Sequence, residues 1–183
     1  LIKQIDDQLG VLFEFLEQKD LMKNTMVVFT SDHGEYFGDH WMGDKDFFHD
    51  PAVKVPLIIA DPDPSCDGTR GTVQNAPVES IDLVPTFIEY AGGTVPKHIL
   101  DGRSLMPLLK GNEVPWREFV VSEYDYFQQT FSPKTDRAPL ECRIYMIKND
   151  RWKYIHAPGF SPMLFDLAND PDEFVDLGKS DDH

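Results

Sequence analysis

Cysteine is scarce: Cys66 and Cys142 are the two in 183 residues. That is too few for a disulfide framework, and no C-x-x-C pair suggests a zinc ribbon or redox motif. A single bridge stays open, but two free thiols in a reducing compartment is the simpler expectation. Long apolar runs are missing too, since none approaches the roughly 20 residues a membrane helix needs. Basic residues are few, 17 Lys and Arg against 32 Asp and Glu, for a net charge of -15. Such a chain repels phosphate backbones and anionic lipid, which argues against nucleic acid and against a membrane surface as partners. If its substrate is itself an anion, a local cation is needed, and a metal would supply one. No signal peptide is visible, and the chain opens at Leu1 rather than at Met. The expectation is a piece of something longer, with any targeting segment out of view. A cytoplasmic location is expected, with the periplasm as the alternative.

What is present is enough for one core. With 41% hydrophobic residues, a chain of this length can bury about 70% of its unfolded surface. Ile5, Leu9, Leu12, Phe13 and Leu16 fall at helical spacing, predicting an amphipathic helix of about four turns. Met26-Val27-Val28-Phe29 and Val55 to Ala60 read as buried strands. Between them, residues 31–53 show no clean period and are dense in Asp, His, Gly and aromatics, and a loop that long is uncommon unless functional. Residues 72–78 read as a further short strand. Ser80 is the expected N-cap of a helix through Tyr90, with Gly92-Gly93 as its stop, and Ser104–Lys110 as a second helix. After Pro115 the pattern changes to short strands over 118–125, 143–148, 152–156 and 163–167, with Asn149-Asp150 as a hairpin turn. The expected organisation is therefore α/β: residues 1–115 hold part of a sheet with flanking helices, and 116–183 form a small antiparallel β layer. The open strand edge and uncovered apolar surface of such a partial sheet predict a homo-oligomer.

The chemistry concentrates at Thr30-Ser31-Asp32-His33-Gly34-Glu35, directly after the first strand. Gly34 permits a sharp change of direction, so Asp32 and His33 can converge on one cation of the Mn²⁺ or Zn²⁺ kind. A strand-end turn with a capping Asp and a hydrogen-bonded His is the alternative reading of the same residues. Lys45, in the same loop, is a candidate to hold an anionic oxygen and stabilise charge that develops on it. A solvated surface Lys is the bland alternative. His40 and His49 are candidate proton donors or supporting groups; His98 and His156 rank below them. Cys66-Asp67-Gly68-Thr69-Arg70 looks like a nucleophile loop but has no adjacent His, and is read as a decoy.

Four blocks then fall into a familiar order. Ser31-Asp32-His33-Gly34-Glu35, with Gly38-Asp39-His40 and Lys45, resembles a metal-binding motif of the sulfatases. Ser80-Ile81-Asp82-Leu83-Val84-Pro85-Thr86 resembles their helix after the central strands, Asp101-Gly102-Arg103-Ser104-Leu105 another family block, and Leu164-Phe165-Asp166-Leu167 with Asp170-Pro171 and Glu173 their C-terminal signature. The branch that looks most similar is the phosphonate monoester hydrolases and arylsulfatases. The resemblance implies an alkaline-phosphatase-like fold and hydrolysis of a small anionic sulfate, phosphonate or phosphate ester. It also implies a divalent metal (Mn²⁺, Ca²⁺ or Zn²⁺), with Asp32 and His33 as ligands, and Lys45 and His40 as catalytic groups. The family's Cys/Ser-x-Pro-x-Arg nucleophile motif, often carrying formylglycine, is absent and is expected upstream, so this chain alone is expected to be inactive. Two other outcomes stay open: a non-catalytic module of sulfatase ancestry, and a phosphodiesterase or phosphomutase of the same superfamily.

Overall fold

The computed structural model describes residues 1–126 and 142–179; most of the polar connection expected around 126–142 lies outside the described residues. Helix α1 (Ile2–Gln18) forms where the apolar spacing predicts it. It leads through a short turn into strand β1 (Val27–Thr30). Beyond the long loop come a short helix α2 (Asp50–Val53) and strand β2 (Leu57–Ala60). β1 and β2 pair antiparallel, with Val27 opposite Ala60 and Thr30 opposite Leu57. They form a two-stranded sheet of their own.

The expectation that these two strands are buried needs correcting. Phe29, Thr30, Ile58 and Ala60 are exposed, and no residue of α1 is buried. A two-stranded ribbon has no second layer deep enough to cover it, so an apolar sequence alone did not make an interior. Residues 72–78 are not a strand either.

The next helix starts differently from the sequence reading. Glu79, not Ser80, is the N-cap, and it exchanges hydrogen bonds with Asp82 in a capping box. A 3₁₀ turn (Ser80–Asp82) then runs into α3 (Leu83–Tyr90). Asp82 is fully buried. Its carboxylate accepts from the Glu79 amide at 2.8 Å, from the Arg103 amide at 2.7 Å, and from both Arg117 guanidinium nitrogens at 2.5 and 2.6 Å. The Thr86 hydroxyl donates to the Asp82 carbonyl and accepts from the Leu105 amide. A Cβ on Gly102 would lie 2.1 Å from the Ile81 carbonyl oxygen, so only glycine lets the two segments touch. The Ser80–Thr86 and Asp101–Leu105 blocks of the sulfatase resemblance are thus one structural knot around a buried charge. Helix α4 (Met106–Leu109) follows from it.

The C-terminal layer forms as expected. Strands β3 (Val120–Asp125), β4 (Arg143–Lys148), β5 (Trp152–His156) and β6 (Met163–Asp166) are ordered β3-β4-β5-β6, all antiparallel. Alternation sends Ile144, Met146, Ile155 and Phe165 to one face, where they close a core on Phe48 from the long loop. Each part of the chain is therefore tied to the next by a specific contact: Asp82 with Arg117 at one end, Phe48 in the sheet's inner face at the other.

Asp82→Ala leaves the buried Arg117 charge with Glu79 as its remaining partner and two backbone amides without their acceptor. Unfolding in urea is expected to show a loss of about 3–5 kcal/mol, whereas Asp101→Ala, an exposed neighbour, should change stability by less than about 0.5 kcal/mol.

Candidate metal and anion site

The path from β1 to α2 is a strap pinned at both ends. At its start the Gly34 amide donates to the Ala52 carbonyl at 2.7 Å and the Glu35 amide to the Pro51 carbonyl at 3.0 Å. A Cβ on Gly34 would sit 1.9 Å from that Pro51 oxygen, so this approach requires glycine. The Tyr36 amide then donates to the Asp44 carbonyl at 3.0 Å, closing a loop that returns Lys45 to the neighbourhood of His33.

The result is a convergence of three candidate residues. His33 Nε2 lies 3.5 Å from an Asp32 carboxylate oxygen and 2.5 Å from Lys45 Nζ. His33 Nδ1 is 2.7 Å from the Gly34 carbonyl oxygen. A carbonyl only accepts, so Nδ1 carries the proton and Nε2 offers its lone pair outward. The ammonium of Lys45 donates to that lone pair. The His33 amide donates to Asp32 Oδ1 at 3.0 Å, and this bond chiefly holds the Asp32 carboxyl below its ordinary range. Asp32 is largely exposed and His33 partly so. A fixed carboxylate beside an imidazole whose Nε2 lone pair faces outward suits a divalent cation, which would take the place at Nε2 that the Lys45 ammonium holds here. No group of three or more ligating side chains occurs among the described residues.

His40 and His49 go elsewhere. His40 stacks on His49, with centroids 4.1 Å apart and planes at 18°, and on Phe174 from the C-terminal segment at 5.0 Å. His49 is buried, and its Nδ1 is 2.9 Å from the Tyr36 hydroxyl, which also accepts from the His49 amide at 3.3 Å. Burial, then the neighbouring His40 and Lys153, push the His49 pKa down to about 4. Burial pushes Tyr36 up to about 12. Both are therefore neutral near pH 7, joined by a hydrogen bond between the hydroxyl and the ring nitrogen. These two histidines build an aromatic column under the loop, apart from the Asp32–His33–Lys45 group. His98 and His156 are exposed and in other segments.

Sequence reasoning missed what holds the strap down. Lys153 on β5 is fully buried, and its ammonium donates to the Phe48 carbonyl at 2.9 Å and to Asp50 Oδ1 at 2.5 Å, and pairs with Glu173. Glu173 accepts in turn from the Asp50 amide at 2.7 Å, and Lys148 bridges both Asp50 oxygens at 2.6 and 2.8 Å. Burial alone would raise the Asp50 carboxyl, but the two lysines hold it below its ordinary range. The only advance signal was the strand alternation that puts Lys153 on the same face as Ile155. Cys66 is buried in a 3₁₀ helix (Pro64–Thr69), and burial raises its thiol pKa, so it is no activated nucleophile. Both cysteines are free. A cavity of about 890 Å³ lies between the two sheets, bordered by Thr30, Asp50, Lys54, Glu79 and Lys148. Asp32, His33 and Lys45 are not among its walls, so it is not the site.

With this geometry in place, the relatives can be compared. Residues 38–183 match the family described as N-sulphoglucosamine sulphohydrolase, C-terminal. The chain belongs to that family. This sulphohydrolase-family chain is 35% identical over 181 residues to a multifunctional alkaline phosphatase superfamily protein, PehA, of Trinickia caryophylli, covering 97% of this chain and 35% of that protein. It is 32% identical over 178 residues to arylsulfatase K of Canis lupus familiaris, covering 95% of this chain and 31% of that protein. The crystal structure of a phosphonate monoester hydrolase of Agrobacterium radiobacter superposes with a TM-score of 0.89 at 34% identity, over 100% of this chain and 36% of that one. The sulfatase resemblance and the alkaline-phosphatase-like α/β fold hold, and the chain spans about a third of the length of these relatives.

The His49 shift has a definite sign. A histidine whose folded pKa is lowered takes its proton first in the unfolded chain, so stability is full above about pH 6.5 and falls as pH drops toward about 4. The loss amounts to about 3 kcal/mol at most. Melting temperature followed across that window should fall less steeply in His49→Gln than in the parent protein.

Proposed function

We propose that this chain supplies one wall of the active site of a hydrolase acting on small sulfate, phosphonate or phosphate esters, with the nucleophile supplied by polypeptide outside it. The observation that carries this reading is the meeting of Asp32, His33 and Lys45 at the base of one strap. Support comes from relatives and neighbours named as arylsulfatase and phosphonate monoester hydrolase.

In this reading Asp32 and His33 Nε2 are two ligands of a divalent cation, and further ligands come from outside the chain. Such a cation, when bound, polarises the ester's oxygen and lowers the pKa of the nucleophile. The Gly34 carbonyl fixes the His33 ring and its tautomer, which keeps Nε2 directed outward. Lys45 reaches a non-bridging oxygen of the ester, where an ammonium stabilises the negative charge that grows as the S–O or P–O bond breaks. Because the chain is strongly acidic, this one positive group and the cation are what make an anionic substrate bindable. His40, stacked between two rings, supports the loop.

The test uses the longer protein that contains this chain, assayed on phenyl esters of sulfate, phosphate and a phosphonate. Lys45→Ala should lower kcat/KM about 10²–10³-fold, and chelation should abolish turnover until a divalent cation is restored. Full activity of Lys45→Ala, or indifference to thorough chelation, would rule the reading out.

A further inference from the structure

The C-terminal segment reaches back to the foot of the strap. Strand β6 ends at Asp166, and the chain then turns through Asp170 to Glu173. Glu173 sits at φ 60°, a left-handed conformation uncommon outside glycine and kept only where the surroundings impose it. Asp170 imposes it. The Glu173 amide donates to the Asp170 carbonyl at 3.1 Å, and the Phe174 and Val175 amides donate to the two Asp170 carboxylate oxygens at 3.0 and 2.7 Å. Beyond the turn the segment is tied back to β6: the Leu177 amide donates to the Leu164 carbonyl at 2.8 Å, and the Leu164 amide donates to Asp176 at 3.1 Å. The turn thus presents Glu173, 2% exposed, to the Lys153 ammonium and the Asp50 amide. These contacts lie inside the chain and owe nothing to polypeptide outside it.

We propose that Glu173 is a positioning residue for the divalent cation: it fixes the foot of the strap, and through it the direction of His33 Nε2. The inference rests on the reading of Asp32 and His33 as ligands, and deepens it by giving the C-terminal segment a part in metal affinity. The route has four links. Glu173 accepts from the Asp50 amide at 2.7 Å. Asp50 opens the single turn of α2, in which the Ala52 amide donates to the His49 carbonyl at 2.9 Å. The Ala52 carbonyl accepts from the Gly34 amide at 2.7 Å. The Gly34 carbonyl accepts from His33 Nδ1 at 2.7 Å, and a ring held at Nδ1 has its metal-binding nitrogen aimed by that bond. Glu173 also balances charge. Without it, the ammonium groups of Lys148 and Lys153 share the one carboxylate of Asp50. A buried charge lacking its counter-charge is costly, and the foot of the strap moves to relieve it.

The experiment measures the Zn²⁺ affinity of the longer protein by competition with a chromophoric chelator, alongside its melting temperature. Glu173→Gln keeps the size of the side chain and removes its charge, and the Zn²⁺ dissociation constant should rise about tenfold. A loss of stability alone leaves that constant unmoved. Asp176→Ala loosens the same segment at β6 without touching the strap, so it should lower the melting temperature and leave the dissociation constant within about twofold. An unchanged Zn²⁺ affinity in Glu173→Gln, or an equal loss in Asp176→Ala, overturns the positioning role while the hydrolase reading stands. Should Glu173→Gln fail to fold, Lys148→Met, which releases Asp50 from its partly exposed side, carries the test with the same expected rise, and an unchanged constant overturns the role. Zn²⁺ binding that Asp32→Ala leaves intact overturns the ligand assignment and the positioning role together. Absence of ester hydrolysis by an unaltered protein that does bind Zn²⁺ through Asp32 overturns the hydrolase reading alone.

Discussion

One buried cation sets the position of everything that looks functional in this chain. The ammonium of Lys153 has three donors, and three acceptors meet it: the Phe48 carbonyl, Asp50 and Glu173. With Lys148 on the other side of Asp50, two lysines balance two carboxylates. Burying any one of these charges without its partners is strongly unfavourable, so the group stands or falls as a unit. It joins the foot of the strap to the sheet and to the C-terminal segment, each more than a hundred residues further along the chain. Phe48, seated in the sheet's apolar face, adds the shape complementarity that a charge cluster alone lacks.

From that anchor the chemistry follows by short steps. With Pro51 and Ala52 fixed just after Asp50, the Gly34 and Glu35 amides have carbonyls to meet. This sets the angle at which the chain leaves β1, and hence where the Asp32 carboxylate and the His33 ring point. The column of Tyr36, His49, His40 and Phe174 fills the space beneath the loop, and the neutral state of His49 keeps it from placing a second charge beside Lys153. The loop closure at Asp44 then returns Lys45. A flexible lysine thus arrives at its place because the backbone on both sides of it is fixed, as a charge aimed at an anion requires.

Some of this was legible in the sequence. The site announced itself because an apolar run ended in Ser-Asp-His-Gly-Glu, a burst too polar and too turn-prone to continue a strand. The C-terminal layer was legible because alternation and the Asn149-Asp150 turn are local signals. The pairing of Lys153 with Glu173 and Asp50 was not, because a buried ion pair bridging distant segments leaves no local trace. The Asp82 carboxylate looked like an ordinary residue of a helical start until Arg117 and the Arg103 amide were seen around it. The burial of β1 and β2 was misjudged for the opposite reason: apolar composition states what a strand could bury, not what lies against it. His40 was named as part of the motif that carries the resemblance, and in the structure its ring stacks on His49 and Phe174.

The family match covers residues 38–183, and the Asp32–His33 pair lies just ahead of it. The motifs that carry the resemblance divide into a structural group around Asp82 and a chemical group at Asp32, His33 and Lys45. The most direct check on the chemical group is anomalous diffraction from crystals of the longer protein soaked in Zn²⁺, recorded at the zinc edge. The predicted outcome is a peak within bonding distance of both the Asp32 carboxylate and His33 Nε2. A fully occupied peak that neither residue touches would remove the foundation of the site described above.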